Sequence, residues 1–108
     1  MKSEVEYSAQ DLRLASLAKA LGHPARLRIL SFLHQEESCF CGDLVKEIGL
    51  AQATVSQHLK ELKNQGIIKG QITGPAVCYC INPEIWNEMK VLFHAFLDHS
   101  LHLKSNCC

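Results

Sequence analysis

Two amphipathic segments flank Gly49-Leu50-Ala51-Gln52, and this four-residue spacer restricts the possible fold more than any other feature. The segment before it runs from about Cys41 or Gly42 to Ile48 and is stopped by Gly49. The one after it begins near Gln52 or Ala53 and ends at Gly66, with Val55, Leu59 and Leu62 recurring on one face. Two short helices joined by so brief a turn form a helix-turn-helix.

The flanking chain fits around that unit. Ser8 followed by Asp11 resembles a capping box, and a first helix is predicted from about Ala9 to Leu21, closed by Gly22. Pro24 suits the first turn of a second helix, which carries Leu27, Ile29, Leu30 and Leu33 to about His34. Glu36-Glu37-Ser38 is a short linker. After Gly66, Ile67–Ile72 and Val77–Ile81 alternate as strands about the turn Thr73-Gly74-Pro75, which makes a hairpin or wing. Asn82 caps and Pro83 opens a last helix with Trp86, Met89, Phe93, Phe96 and Leu97 at helical spacing, reaching about Leu103.

The predicted fold is mainly α with a small β-hairpin, a single winged helix-turn-helix domain over 1–108. Its helix-turn-helix covers 41–66, its wing 67–81, and a mobile cysteine-bearing tail 104–108. Helices 8–21 and 83–103 carry more apolar surface than three small helices can cover. Leu12, Leu14 and Leu17 with Trp86, Phe93 and Phe96 therefore predict a homodimer built from both ends of the chain.

At 108 residues, 47% of them apolar and only three of them proline, the chain suits one core and not wholesale disorder. No stretch approaches the roughly 20 apolar residues that span a bilayer, so no membrane partner is expected. The polar, acidic start predicts a cytoplasmic protein. Formal net charge is zero. From Arg26 to Lys69 six basic residues face five acidic ones, a balance of +1, so affinity for DNA has to come from placement. Gln52, Thr54, Ser56, Gln57 and His58 are the candidates for DNA contact near the start of the fourth helix. Lys60 and Lys63 would serve the phosphates.

Six cysteines fall in three close sets, Cys39/Cys41, Cys78/Cys80 and Cys107/Cys108, where a disulfide framework would scatter them. Cys39 and Cys41 lead into the helix-turn-helix. On a regular helix two residues that far apart point about 200° apart, so both sulfurs can meet one ion only if that turn is extended or unwound, and a ligand gripping both is expected to distort the start of the third helix. Cys78 and Cys80 share one face of a strand and are read first as structure, second as ligands. Cys107 and Cys108 are read as ligands. His94, Asp98, His99 and His102 could form a metal face, but solvated positions are the simpler reading; His23 and His34 carry no site signal.

Several of these motifs together resemble a known family. Ala20-Leu21-Gly22-His23-Pro24-Ala25-Arg26-Leu27-Arg28-Ile29-Leu30 is similar to the opening motif of the ArsR/SmtB metalloregulatory repressors. Thr54-Val55-Ser56-Gln57-His58-Leu59-Lys60-Glu61-Leu62 resembles their recognition helix, and Gly66-Ile67-Ile68 the turn into their wing. The resemblance implies a homodimer that blocks a promoter on double-stranded operator DNA until a metal or metalloid loosens it. Two features depart from it. Gln71 to Val77 carries no charge where such wings commonly hold arginine or lysine. The last helix opens Glu84-Ile85-Trp86, without the Asp-x-His of zinc-binding members.

Soft thiolates select soft ions. Cys39-x-Cys41 resembles the arsenite-responsive members, in which a third cysteine lies close by; here Leu44 stands at that position. Cys107 or Cys108 is therefore expected to supply the third sulfur. The leading expectation is a repressor released by arsenite or antimonite, with cadmium, lead or zinc as further inducers and no organic cofactor. The alternatives are a thiol redox or persulfide switch on the same fold, and a small thiol enzyme or metal carrier. No Cys-x-x-Cys, phosphate loop or nucleophile elbow supports an enzyme.

Overall fold

The computed structural model describes residues 5–37, 39–73 and 76–99. Five helices and three strands follow one another: α1 (Ala9–Leu21), α2 (Pro24–Gln35), β1 (Cys39–Phe40), α3 (Leu44–Ile48), α4 (Gln52–Asn64), β2 (Ile68–Thr73), β3 (Ala76–Ile81) and α5 (Pro83–Leu97).

Local chemistry sets most of the boundaries. The Ser8 hydroxyl accepts the Asp11 amide at 2.9 Å and starts α1. His23 Nδ1 accepts the Ala25 amide at 3.0 Å ahead of Pro24 and starts α2. Gly49, at φ 86°, closes α3 with its amide on the Val45 carbonyl at 2.9 Å. At the end of α4 the Gly66 amide reaches Lys63 and the Ile67 amide reaches Leu62, at 2.9 and 3.0 Å. That pair of bonds satisfies two orphan carbonyls and needs the positive φ of Gly66, 77°. Asn82 accepts the Glu84 amide at 3.1 Å, and Pro83 follows as expected.

Two helix boundaries and one added strand differ from expectation. The third helix starts at Leu44, capped by Asp43, whose carboxylate accepts the Lys46 amide at 3.3 Å. Cys39 and Phe40, just upstream, belong to a strand, because β1 pairs antiparallel with β3 and the sheet order is β1-β3-β2. The last helix ends at Leu97, where the Asp98 amide still bonds the His94 carbonyl at 2.8 Å. Residues 100–103 of the expected helix lie outside the described residues.

The core joins α1, α2 and α4 to the base of the sheet. Leu17, Ile29, Leu33, Leu62 and Ile67 are fully shielded from solvent, with Val55 and Ile68 nearly so. Leu17, expected at the dimer surface, is thus an internal residue of the core cluster. Trp86, also assigned to that surface, is half-buried against the same core, its ring edge-on to His34 at 4.5 Å. Among the described residues no helix is long and apolar enough to cross a membrane.

Candidate nucleic-acid interface and the neighbouring thiols

Helix α4 is two-sided. Val55, His58, Leu59 and Leu62 face the core, whereas Gln52, Thr54, Ser56, Gln57, Lys60 and Lys63 are exposed. Its N-cap, Ala51, offers no side-chain acceptor, so the first-turn N–H groups are left for another acceptor. Amide and hydroxyl side chains beside open backbone donors suit both base edges and phosphate oxygens. Between α4 and the sheet, Ser56, Leu59, Lys60, Lys63, Asn64 and Tyr79 line a concavity of about 250 Å³. Its two lysines, Lys60 and Lys63, are exposed. The Lys63 ammonium lies over the sheet, 3.4 Å from where a side chain on Gly70 would begin.

His58 departs from the expected set. Only 7% exposed, it faces inward. Its Nδ1 accepts a hydrogen bond from Arg26 Nε at 3.1 Å, and its ring lies against His23 with centroids 4.4 Å apart. Helical spacing explains the turn: position 58 falls between 55 and 62 on the buried face. Burial, then the charges of His23 and Arg26, hold the imidazole below its ordinary pKa and so in the neutral form that accepts this bond.

Arg26 also donates to the carbonyls of Ala20 and Lys19 at 3.2 and 3.4 Å. One guanidinium thereby ties the end of α1 to the back of α4, and the Gly22-His23-Pro24-Ala25-Arg26 motif works as a clasp for the recognition helix. Sequence reasoning missed it. The available signal was an arginine next to Ala25 and one turn ahead of Ile29 and Leu30, all three buried in α2.

The cysteines are the larger surprise. Cys39 opposes Cys80 and Cys41 opposes Cys78, each pair disulfide-bonded with Cα atoms 4.0 Å apart. Residues in direct register point to the same face of a ladder, and alternate residues share it. All four sulfurs therefore occupy one face, along with Lys69 and Gln71, which stand in register with Cys80 and Cys78 and are exposed. The opposite face carries Phe40 and Tyr79 toward the core, Phe40 edge-on to Phe32 at 4.8 Å. Cys39 and Cys41 are exposed, Cys80 is half-buried and Cys78 is 7% exposed. Cys39 lies in a strand and Cys41 ahead of Asp43, so the segment is extended, one of the two conditions under which both can face one ligand, and α3 begins only at Leu44. The repeated Cys-x-Cys was the signal for this pairing.

Cys107, Cys108 and His102 lie outside the described residues. His94 and Asp98 approach to 3.7 Å on the exposed end of α5, and His99 lies beyond the helix. With both cysteine pairs bonded, no set of three or more His, Cys, Asp or Glu able to hold an ion stands together among the described residues.

The model of bacterial regulatory proteins of the arsR family matches residues 23–69, from the Arg26 clasp to the second residue of β2. The HTH-type transcriptional regulator YgaV of Escherichia coli is 33% identical over 87 residues, 81% of this chain and 86% of its own. An arsenical resistance operon repressor of Staphylococcus xylosus is 34% identical over 86 residues, 80% of this chain and 71% of its own. A homodimeric winged helix-turn-helix DNA-binding domain of Mycobacterium bovis, known from solution NMR, shares the fold with a TM-score of 0.64 at 24% identity. That match spans 95% of this chain and 100% of the other. The chain belongs to the arsR family of bacterial regulatory proteins, as a DNA-binding transcriptional repressor of the ArsR/SmtB kind and not an enzyme.

Proposed function

We propose that the protein is a homodimer that occupies an operator and is released when trivalent arsenic or antimony is captured by Cys39 and Cys41. The observation that carries this reading is their position. Both cysteines are exposed and lie directly ahead of α3, whose buried Leu44 and Ile48 share the core with Val55 and Leu59 of α4. Capture there shifts the support of the recognition helix without a long relay. The Staphylococcus xylosus relative, named for an arsenical resistance operon, supports the choice of inducer. Cys78, Cys80, Cys107 and Cys108 are the thiols from which a third sulfur can come.

The dimer rests on surface chemistry. Leu12, Val91, Phe96 and Leu97 are 55–71% exposed on α1 and α5. Leu14, Ala15, Ala18, Phe93 and Phe96 line a concavity of about 290 Å³ with Asp11 between the same helices. Contiguous apolar surface of this kind marks a contact with another molecule, and the Mycobacterium bovis fold neighbour is homodimeric.

A second reading is favoured by the bonded pairs themselves. Oxidation of Cys39 with Cys80 and of Cys41 with Cys78 by one peroxide each would make the two disulfides, the two electrons and two protons from each thiol pair reducing the peroxide to two waters, or to an alcohol and a water. One experiment separates the readings: operator binding by fluorescence anisotropy, titrated with arsenite, antimonite, cadmium, lead, zinc and peroxide. Release by arsenite that disappears in Cys39→Ser/Cys41→Ser, with DNA binding retained, is the expected result. Release by peroxide alone, reversed by dithiothreitol, would replace it with the redox reading.

A further inference from the structure

We infer that the third sulfur for the trivalent ion comes from the wing strand, Cys78 or Cys80 of β3, and not from the chain terminus. The inference rests on the arsenite reading above and assigns the ligands of that same site. The ladder places four sulfur-bearing residues at the corners of a small rectangle. Each cross-strand pair has Cα atoms 4.0 Å apart, and neighbours along a strand are two residues, about 7 Å, apart. A cysteine sulfur reaches nearly 3 Å from its Cα, so any three of these sulfurs can converge above the centre of the rectangle.

The shape of the donor set selects the ion. All four sulfurs approach from one side of the sheet: register and alternation put Cys39, Cys78 and Cys80 on one face, and Cys41, just past the end of β1, is bonded to Cys78 there. Zinc in a structural site takes four ligands disposed tetrahedrally around it, which a one-sided array cannot supply. Trivalent arsenic and antimony bind three sulfurs as a pyramid and keep a lone pair on the far side. A one-sided set open to solvent matches that geometry, and the exposed Cys39 and Cys41 leave the far side open.

The chemistry balances. A dithiol reductant first gives each disulfide two electrons and two protons, leaving four thiols. Arsenous acid, As(OH)3, then exchanges its three hydroxyls for three thiols, forming three As–S bonds and releasing three waters. The exchange joins the segment ahead of α3 to β3, so the inducer bridges helix-turn-helix and wing, two elements that have to hold a fixed relation on DNA. One of the four thiols is left over, and the two β3 residues can substitute for each other.

That redundancy gives a sharp test on the reduced full-length chain, with arsenite as the probe. X-ray absorption should count three sulfurs per arsenic in the parent protein, in Cys78→Ser and in Cys80→Ser. The count should fall to two in Cys78→Ser/Cys80→Ser and stay at three in Cys107→Ser/Cys108→Ser. The double β3 variant should bind arsenite about 100-fold more weakly, the loss expected when a tethered ligand is removed. Because Cys78 is buried and its replacement can disturb folding, arsenite protection is read in the parent protein. Cys78, 7% exposed, is shielded from maleimide with or without the ion, so the reading lies elsewhere: arsenite should add protection at Cys39 and Cys41 while Cys107 and Cys108 stay labelled. Protection of the terminal pair overturns this ligand assignment but leaves arsenite release standing. A parent protein that binds no arsenite overturns both.

Discussion

The recognition helix and the cysteine ladder lie side by side, yet they are specified in different ways. Helix α4 declares its buried face within one stretch of chain, through Val55, Leu59 and Leu62, and the structure seats it by that face. The ladder depends on partners 41 and 37 residues apart, Cys39 with Cys80 and Cys41 with Cys78. A two-residue strand such as β1 has no periodicity of its own and exists because β3 offers it an edge. Apolar burial thus fixes the part that would touch DNA, and strand pairing fixes the part that would sense. The two should respond very differently to substitution.

The largest effect is expected at the seat of α4. Leu62 is fully buried, and Leu62→Ala should cost about 2–5 kcal/mol by urea unfolding, with operator binding lost. Cys39→Ser, at an exposed position, should stay within about 0.5 kcal/mol in reducing buffer. Comparable losses for the two variants would erase the distinction between seat and sensor.

Next in size is the outward face of the same helix. Gln57→Ala should weaken operator binding by about 1–3 kcal/mol at unchanged stability, the worth of a good base contact. Lys60→Ala should instead lower affinity on all sequences and flatten the salt dependence by about one unit of slope. Full affinity in Gln57→Ala would move base recognition elsewhere on the helix.

These expectations also mark what could be read in advance. The five helices and the β2–β3 hairpin in their order, and the outward residues Gln52, Thr54, Ser56 and Gln57, follow from local pattern, because a 3.6-residue period, strand alternation and a glycine stop act within a few residues, whereas β1 does not. His58 did not follow, since an imidazole is polar enough to be assigned to solvent and only a partner from α2, Arg26, makes its burial tolerable. The pairing of the cysteines did not follow either. Alternation reports which residues share a face of one strand, and says nothing about which strand lies opposite.

A smaller effect should come from His58 through pH. Its folded-state pKa lies below the ordinary imidazole value near 6.5, chiefly through burial and then through His23 and Arg26. Between that lowered value and about 6.5 the unfolded chain holds more protons than the folded one. Stability is therefore complete above about pH 6.5 and declines as pH falls toward the folded-state pKa. Operator affinity should fall with it, since protonation removes the acceptor for Arg26 Nε. In His58→Gln the amide oxygen can still accept that bond and does not titrate, so the slope around pH 6 should flatten. A parent protein with no slope there would show that the clasp tolerates a charged ring.

The smallest effect is expected between α1 and α5, the helices proposed to carry the dimer. Arg13 grips Glu88 with two bonds, Nε to Oε2 at 2.9 Å and Nη2 to Oε1 at 3.0 Å, and its other terminal nitrogen reaches Gln65 at 3.5 Å. The bonded guanidinium holds the Glu88 carboxyl below its ordinary pKa, so the pair stabilises above about pH 4.3 and is lost on acidification below it. With 32% and 39% of the two side chains exposed, water screens the attraction. Glu88→Gln should then cost about 0.2–1 kcal/mol at neutral pH, judged by the shift in urea midpoint. In about 1 M salt the difference should shrink toward zero, because the screening length falls to roughly 3 Å. A loss above about 2 kcal/mol that survives high salt would instead mean that the pair is dry in solution. The second subunit would then have to cover it, and the dimer surface would extend from Phe96 along α5 to Glu88.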